Sequence, residues 1–121
     1  MKAVFDTNIL IDYLNGIEAA KQELDRYATR LISIITFIEV MAGAGEPAEE
    51  RAVRGFLGAY QVIDLSAEIA RETIALRKSH RLKIPDAVVY ATARIQGCNL
   101  VSRNTKDFKP DWPDVRVPYR V

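Results

Sequence analysis

Four acidic residues stand where an alternation of strands and helices would bring them to one edge of a sheet. Asp6 directly follows a short β-rich run, and Glu39 lies in the first turn of a helix expected after a second strand. Asp86 opens an apolar helix behind Pro85, and Asp107 falls in the loop after a fourth strand. In open α/β sheets, sites form at the carboxyl ends of strands, where strand order switches. Carboxylates converging in such a low-dielectric cleft repel one another, so the pattern implies a bound divalent cation. Oxygen-only donors suit Mg2+ or Mn2+, and a chain with one His and one Cys cannot build a protein zinc cage. Without metal, at least one carboxyl of Asp6, Glu39 and Asp86 is expected to titrate high because its neighbours carry like charge. Each acid also has a structural alternative: Asp6 as a helix cap, Glu39 as the back-reaching half of a Thr36 capping box, Asp86 as a first-turn acid, Asp107 as a solvated loop residue.

The elements that would position these acids are legible from periodicity and breakers. Residues 2–5 read as a strand, and Asp6-Thr7-Asn8 as the start of a helix through Ile9, Leu10 and Ile11. After Asn15-Gly16, the residues Ile17, Ala20, Leu24 and Tyr27 recur at helical spacing. Residues 30–34 read as a second buried strand and Thr36 to Glu39 as a capping box, with Gly43 and Gly45 ending that helix. Pro47 suits the first position of a helix carrying Val53, Phe56, Leu57 and Tyr60 on one face. A third strand over 61–64, a helix capped by Ser66 and reaching about Ser79, and a buried helix from Pro85 to Ile95 follow, with Gly97 as its stop. A fourth strand spans 99–102, and 115–117 reads as an edge strand between Pro113 and Pro118. The alternation predicts one domain over 1–121, an α/β fold that is a three-layer α/β/α sandwich on a mainly parallel sheet.

A 121-residue chain with 49% hydrophobic residues has room for one core and shows no apolar run of membrane-spanning length. Cys98, the only cysteine, allows no internal disulfide, and no signal-peptide pattern opens the chain, which together lead to a cytoplasmic expectation. A net charge of +1 excludes capture of nucleic acid by a strong overall positive field. Nucleic-acid contact must then be local, and Arg77, Lys78, Arg81 and Lys83 before Asp86, and Arg103, Lys106 and Lys109 around Asp107, form two basic clusters.

The motifs as a set resemble a known family. Val4-Phe5-Asp6-Thr7-Asn8-Ile9-Leu10, Ser33-Ile34-Ile35-Thr36-Phe37-Ile38-Glu39, Ile84-Pro85-Asp86-Ala87 with Ala91-Thr92-Ala93, and Leu100-Val101-Ser102-Arg103-Asn104-Thr105-Lys106-Asp107-Phe108 look like PIN-domain proteins. The likeness is strongest to the VapC-type toxins of toxin–antitoxin pairs and spans essentially the whole chain. It implies a Mg2+-dependent endoribonuclease, homodimeric and inhibited by a cognate antitoxin, with Asp6, Glu39 and Asp86 as acidic ligands and Thr7, Asn8 and Thr36 near the site. Where PIN domains often carry a fourth acid this chain has Asn104, so the fourth ligand lies between Asn104 and Asp107. Arg81, Lys83, Arg103 and Lys106 are the candidate contacts to RNA phosphates. In that reading the cation, with Mn2+ as a substitute for Mg2+, polarises a phosphodiester oxygen while an uncommitted carboxylate orients water.

Three other readings compete. Gly43-Ala44-Gly45-Glu46-Pro47-Ala48 matches a loose dinucleotide fingerprint, but Pro47 lacks an amide donor and Glu46 would repel a pyrophosphate. Phospho-acceptor chemistry at Asp6 is disfavoured by Asn8, where a phosphatase of that kind commonly has a second aspartate. The third is a non-catalytic PIN-like module that binds RNA or a partner, made thinkable by Asn104. His80, Trp112 and the tyrosines are expected at surface caps or in packing, and Cys98 in the core or at a strand edge.

Overall fold

In the computed structural model, which describes residues 1–120, five parallel strands form one sheet in the order β3-β2-β1-β4-β5. The elements run β1 (Lys2–Phe5), α1 (Thr7–Leu14), α2 (Glu18–Asp25), β2 (Thr29–Ser33), α3 (Ile34–Ala42) and α4 (Pro47–Leu57). They continue through β3 (Gln61–Ile63), α5 (Ala67–His80), α6 (Ile84–Ile95), β4 (Asn99–Val101) and β5 (Val115–Arg116). The chain first builds outward from β1 to β2 and β3, then returns to add β4 on the other side. The order therefore reverses between β1 and β4, and the carboxyl ends of these two strands are where open α/β sheets place their sites.

Strand alternation divides the core between the two faces of the sheet. Ala3, Phe5, Ile32 and Val101 pack with Ile9, Leu10, Leu24, Val40, Val53 and Leu57 from the helices of the first half. Val4, Leu31 and Leu100 face the opposite way, into Ile69 and Leu76 of α5 and the inner side of α6. This is the α/β/α sandwich expected from the sequence. Every residue of α6 from Ala87 to Ala93 is buried, and the small Ala87, Ala91 and Ala93 let that helix lie close to the sheet. Full burial of a side chain such as Leu100 contributes about 1.5–3 kcal/mol. Trp112 stacks on Tyr90 with centroids 5.4 Å apart, and His80 meets Trp112 edge-on at 4.6 Å, so these rings are packing residues. Among the described residues no helix is long and apolar enough to cross a membrane.

Several local expectations change, and β2, β3 and β5 each end one residue earlier than expected, at Ser33, Ile63 and Arg116. The capping box at Thr36 does not form, because Ser33 caps α3 by accepting from the Ile35 amide at 3.1 Å. The helix therefore starts at Ile34, Thr36 is buried inside it, and Glu39 is free of any back-reaching role. Strand β4 ends at Val101 rather than at 102, which leaves the side chain of Ser102 just beyond the strand.

Candidate active site

Asp6 is the N-cap of α1 and also the centre of the polar site. Its Oδ1 accepts from the Thr7 amide at 2.9 Å, and its Oδ2 accepts from Ser102 Oγ at 2.7 Å and Asn8 Nδ2 at 3.2 Å. Capping and site roles coincide because β1 feeds α1 without a loop, so the cap residue sits at the strand's carboxyl end. The carboxylate is only 7% exposed, and its pKa is raised from 3.8 to about 6. Burial is the main cause, with smaller contributions from the charges of Asp86 and Glu39, and the Ser102 and Thr7 donors oppose the rise. The high titration expected from like-charge repulsion is thus present but arises chiefly from desolvation.

Asp86, in the first turn of α6, is half-buried and also titrates above the ordinary carboxylate range. Desolvation is again the largest cause, followed by Asp107 and Glu39, while Lys83 pulls the other way. Glu39 reaches the site from α3: its Oε1 lies 2.6 Å from Thr7 Oγ1, which is 3.1 Å from Thr36 Oγ1. With one proton per hydroxyl, Thr36 can donate to Thr7 while Thr7 donates to Glu39. Asp86 and Glu39 thus act electrostatically on Asp6, and Asp107 and Glu39 on Asp86.

Asn104 and Asp107 engage each other. Asn104 Nδ2 donates to Asp107 Oδ2 at 3.0 Å, and the Asp107 amide donates to Asn104 Oδ1 at 3.2 Å. Asn104 therefore has its carbonyl taken up by the loop, which leaves Asp107 as the member of that pair that bears charge toward Asp86.

The donor set fits one kind of cation binding. Among the described residues no three Asp, Glu, His or Cys side chains gather tightly enough to cage an ion. A carboxylate offers about four acceptor positions, and the three donors to Asp6 leave one open. Mg2+ keeps several of its waters and is commonly held by one or two carboxylates. Asp6 with Asp86, whose charge is near enough to raise the titration of Asp6, is a donor pair of the kind such a largely hydrated ion takes.

Of the four basic residues expected to face RNA, Arg103 is corrected. Its Nε and Nη2 bind both oxygens of the buried Asp12, at 2.5 and 2.9 Å, because the turn after β4 runs alongside α1. Arg81, Lys83 and Lys106 are exposed and, among the described residues, take part in no ion pair. Arg81 caps α5 in the left-handed region, at φ 57° and ψ 34°. The glycine loop is no phosphate cradle: the Gly45 amide donates to Glu49 Oε1 at 2.6 Å, and Pro47 starts α4. Sequence reasoning missed Ser102 as a site residue and Asp12 altogether; a polar side chain at the end of a central strand was the available signal for the first.

Comparison with known proteins gives consistent matches. A family model described as PIN domain matches residues 3–110. Ribonuclease VapC1 of Methanocaldococcus jannaschii is 29% identical over 113 residues, which span 89% of this chain and 79% of that protein. A toxin–antitoxin complex from Klebsiella pneumoniae contains a chain 43% identical, with a TM-score of 0.93 over 98% of this chain and 99% of that one. DNA-bound VapBC from Salmonella typhimurium matches at 25% identity and a TM-score of 0.78, covering 96% of each chain.

Proposed function

The chain belongs to the PIN domain family, and from that premise we propose that it is a Mg2+-dependent endoribonuclease, the toxin of a VapBC-type toxin–antitoxin pair acting in the cytoplasm. The observation that carries this reading is Asp6, a buried carboxylate at the β1/β4 switch point, flanked by Asp86 and Glu39. The ribonuclease and toxin–antitoxin relatives support it independently.

In this reading Asp6 and Asp86 hold Mg2+, or Mn2+ in its place. When bound, the cation would supply Lewis-acid polarisation of a phosphodiester oxygen and would make a neighbouring water easier to deprotonate. Ser102 and the Thr7 amide fix the orientation of Asp6, and Thr7 fixes one oxygen of Glu39, leaving the other to accept a proton from attacking water. Arg81, Lys83 and Lys106 contact flanking phosphates. Cleavage by the purified, antitoxin-free protein should require Mg2+ or Mn2+ and vanish in Asp6→Ala and Asp86→Ala. Undiminished cleavage in excess EDTA defeats the metal mechanism. No cleavage by wild type with either ion leaves the non-catalytic module.

The partner reading follows from the same site. A cognate antitoxin covers the carboxylate cleft, and a basic side chain inserted there takes the electrostatic place of the cation. A second copy of the chain covers the face bearing Leu65, Ile74 and Ile84, which are 49%, 56% and 60% exposed. The ends of α5 favour self-pairing, since Glu68 lies in its first turn and Arg77 and Lys78 in its last, so a two-fold antiparallel contact brings opposite signs together. Light scattering of wild type and Ile74→Glu tests this: the variant should be monomeric.

A further inference from the structure

The network around Asp12 lies outside the acid site but is joined to it through three consecutive residues. Ser102 donates to Asp6 Oδ2 at 2.7 Å, the Arg103 amide donates to Asn8 Oδ1 at 3.3 Å, and the Arg103 guanidinium grips Asp12 with two bonds. The segment after β4 is thus laid along α1 from position 6 to position 12. Asn8 Nδ2 also reaches Ser102 Oγ at 3.3 Å, and the Asn104 amide donates to that same oxygen at 3.0 Å. Tyr119 closes the network from the C-terminal segment by donating to Asp12 Oδ2 at 2.8 Å. Asp12 is 5% exposed, so both of its oxygens depend on these donors for solvation.

We infer that the Asp12–Arg103–Tyr119 network is a clamp that sets the position of Ser102, Asn104 and Asp107 against Asp6 and Asp86, and thereby the affinity of the acid site for its divalent cation. The inference rests on the nuclease reading. Arg103 touches neither Asp6 nor Asp86, so it is a positioning residue. Its planar fork fixes both the distance and the rotation of the segment relative to α1, which a lysine's single ammonium cannot do. The loop that follows is anchored at its far end by the buried Phe108, while between that anchor and Arg103 the side chains of Asn104 and Asp107 bond to each other.

A bidentate pair of the same kind provides the control. Arg116 on β5 grips buried Glu23 on α2 at 2.7 and 2.9 Å, with Tyr27 as its third partner, and none of these side chains bonds to the acid site. Arg103→Lys, Tyr119→Phe and Arg116→Lys would be compared with wild type in three measurements. These are the Mg2+ concentration for half-maximal RNA cleavage, the rise in melting temperature produced by Mn2+ alone, and urea unfolding without metal. Arg103→Lys should raise the half-maximal Mg2+ concentration about ten-fold or more, within the range found when groups behind metal ligands are changed. Its Mn2+-induced melting shift should shrink in parallel. Tyr119→Phe, which removes one hydrogen bond and keeps the ring, should move the same way by less. Arg116→Lys should lose stability in urea while keeping the wild-type cation requirement. Unchanged cation dependence in both Arg103→Lys and Tyr119→Phe overturns the clamp, as does an equal change in Arg116→Lys, which would mark a general loss of stability. A wild type with neither cation-dependent cleavage nor a Mn2+-induced melting shift overturns the nuclease reading itself, and the clamp with it.

Discussion

The Ser102 hydroxyl donates to Asp6 Oδ2 at 2.7 Å, linking residues that leave the adjacent parallel strands β4 and β1 at the same edge of the sheet. That bond favours ionised Asp6 and opposes the effect of burial. Ser102→Ala should therefore move the acid limb of the pH–activity profile upward by roughly one unit, with activity recovering at alkaline pH. Profiles of kcat/KM at one fixed, subsaturating Mg2+ concentration check this, since proton and cation compete for Asp6; a uniform loss at every pH would mean that Ser102 acts only on loop geometry.

Metal-free stability should carry the signature of Asp6. Its folded pKa of about 6 lies above the ordinary 3.8 of a free aspartate, so the native state holds a proton that the unfolded chain releases. The resulting deficit is absent below about pH 4, grows as pH rises, and reaches about 3 kcal/mol once pH passes the folded value. Asp86, also raised, adds to it with the same sign. Asp6→Asn should consequently unfold at higher urea than wild type at pH 8, and the gap should close toward pH 4. The wild-type pair of Asp12 and Glu23, both held low by arginines, acts oppositely in each protein and cancels in the comparison.

Divalent metal should reverse that deficit. Free Mg2+ at one hundred times its dissociation constant stabilises the folded state by about 2.7 kcal/mol if the unfolded chain does not bind it. The gain should be largest above pH 6, where Asp6 surrenders its proton to bind the cation, and should be much reduced in Asp6→Asn. Melting curves with titrated Mg2+ at pH 5 and pH 8 test both parts.

Arg81 offers a separation of stability from binding. A non-glycine residue in the left-handed region costs about 1–2 kcal/mol, part of which glycine returns as chain entropy. Arg81→Gly should thus stabilise the protein by about 0.5–1 kcal/mol while weakening binding of single-stranded RNA, most clearly at low salt. Urea unfolding and fluorescence anisotropy measure the two effects; unchanged RNA binding would remove Arg81 from the phosphate contacts.

What was legible in the sequence depended on how far each residue's partners lie along the chain. Asp6 and Asp86 announced themselves because a strand or a proline immediately precedes each, and the parallel sheet follows from the alternation of periodicities. The Thr36 box failed on a local competition, in which Ser33 offered its hydroxyl to the first helical turn three residues earlier. Arg103 was read as a surface cation because its partner Asp12 lies 91 positions away. Ser102 was hidden similarly: a serine ending a strand has no visible role until the neighbouring strand is known to be β1.

The strand order also has a consequence in time. β1 leaves the ribosome first, yet one of its neighbours is β4, and the hydrogen bond that shapes Asp6 comes from a residue 96 positions later. Pairings so distant in sequence close late and slowly, because the loop entropy must be met before the contact forms. A nascent chain that has not yet presented Ser102 and the loop behind it holds Asp6 as an ordinary helix cap. The acid site is therefore assembled late, and any activity that it carries waits until nearly all of the strands have been made.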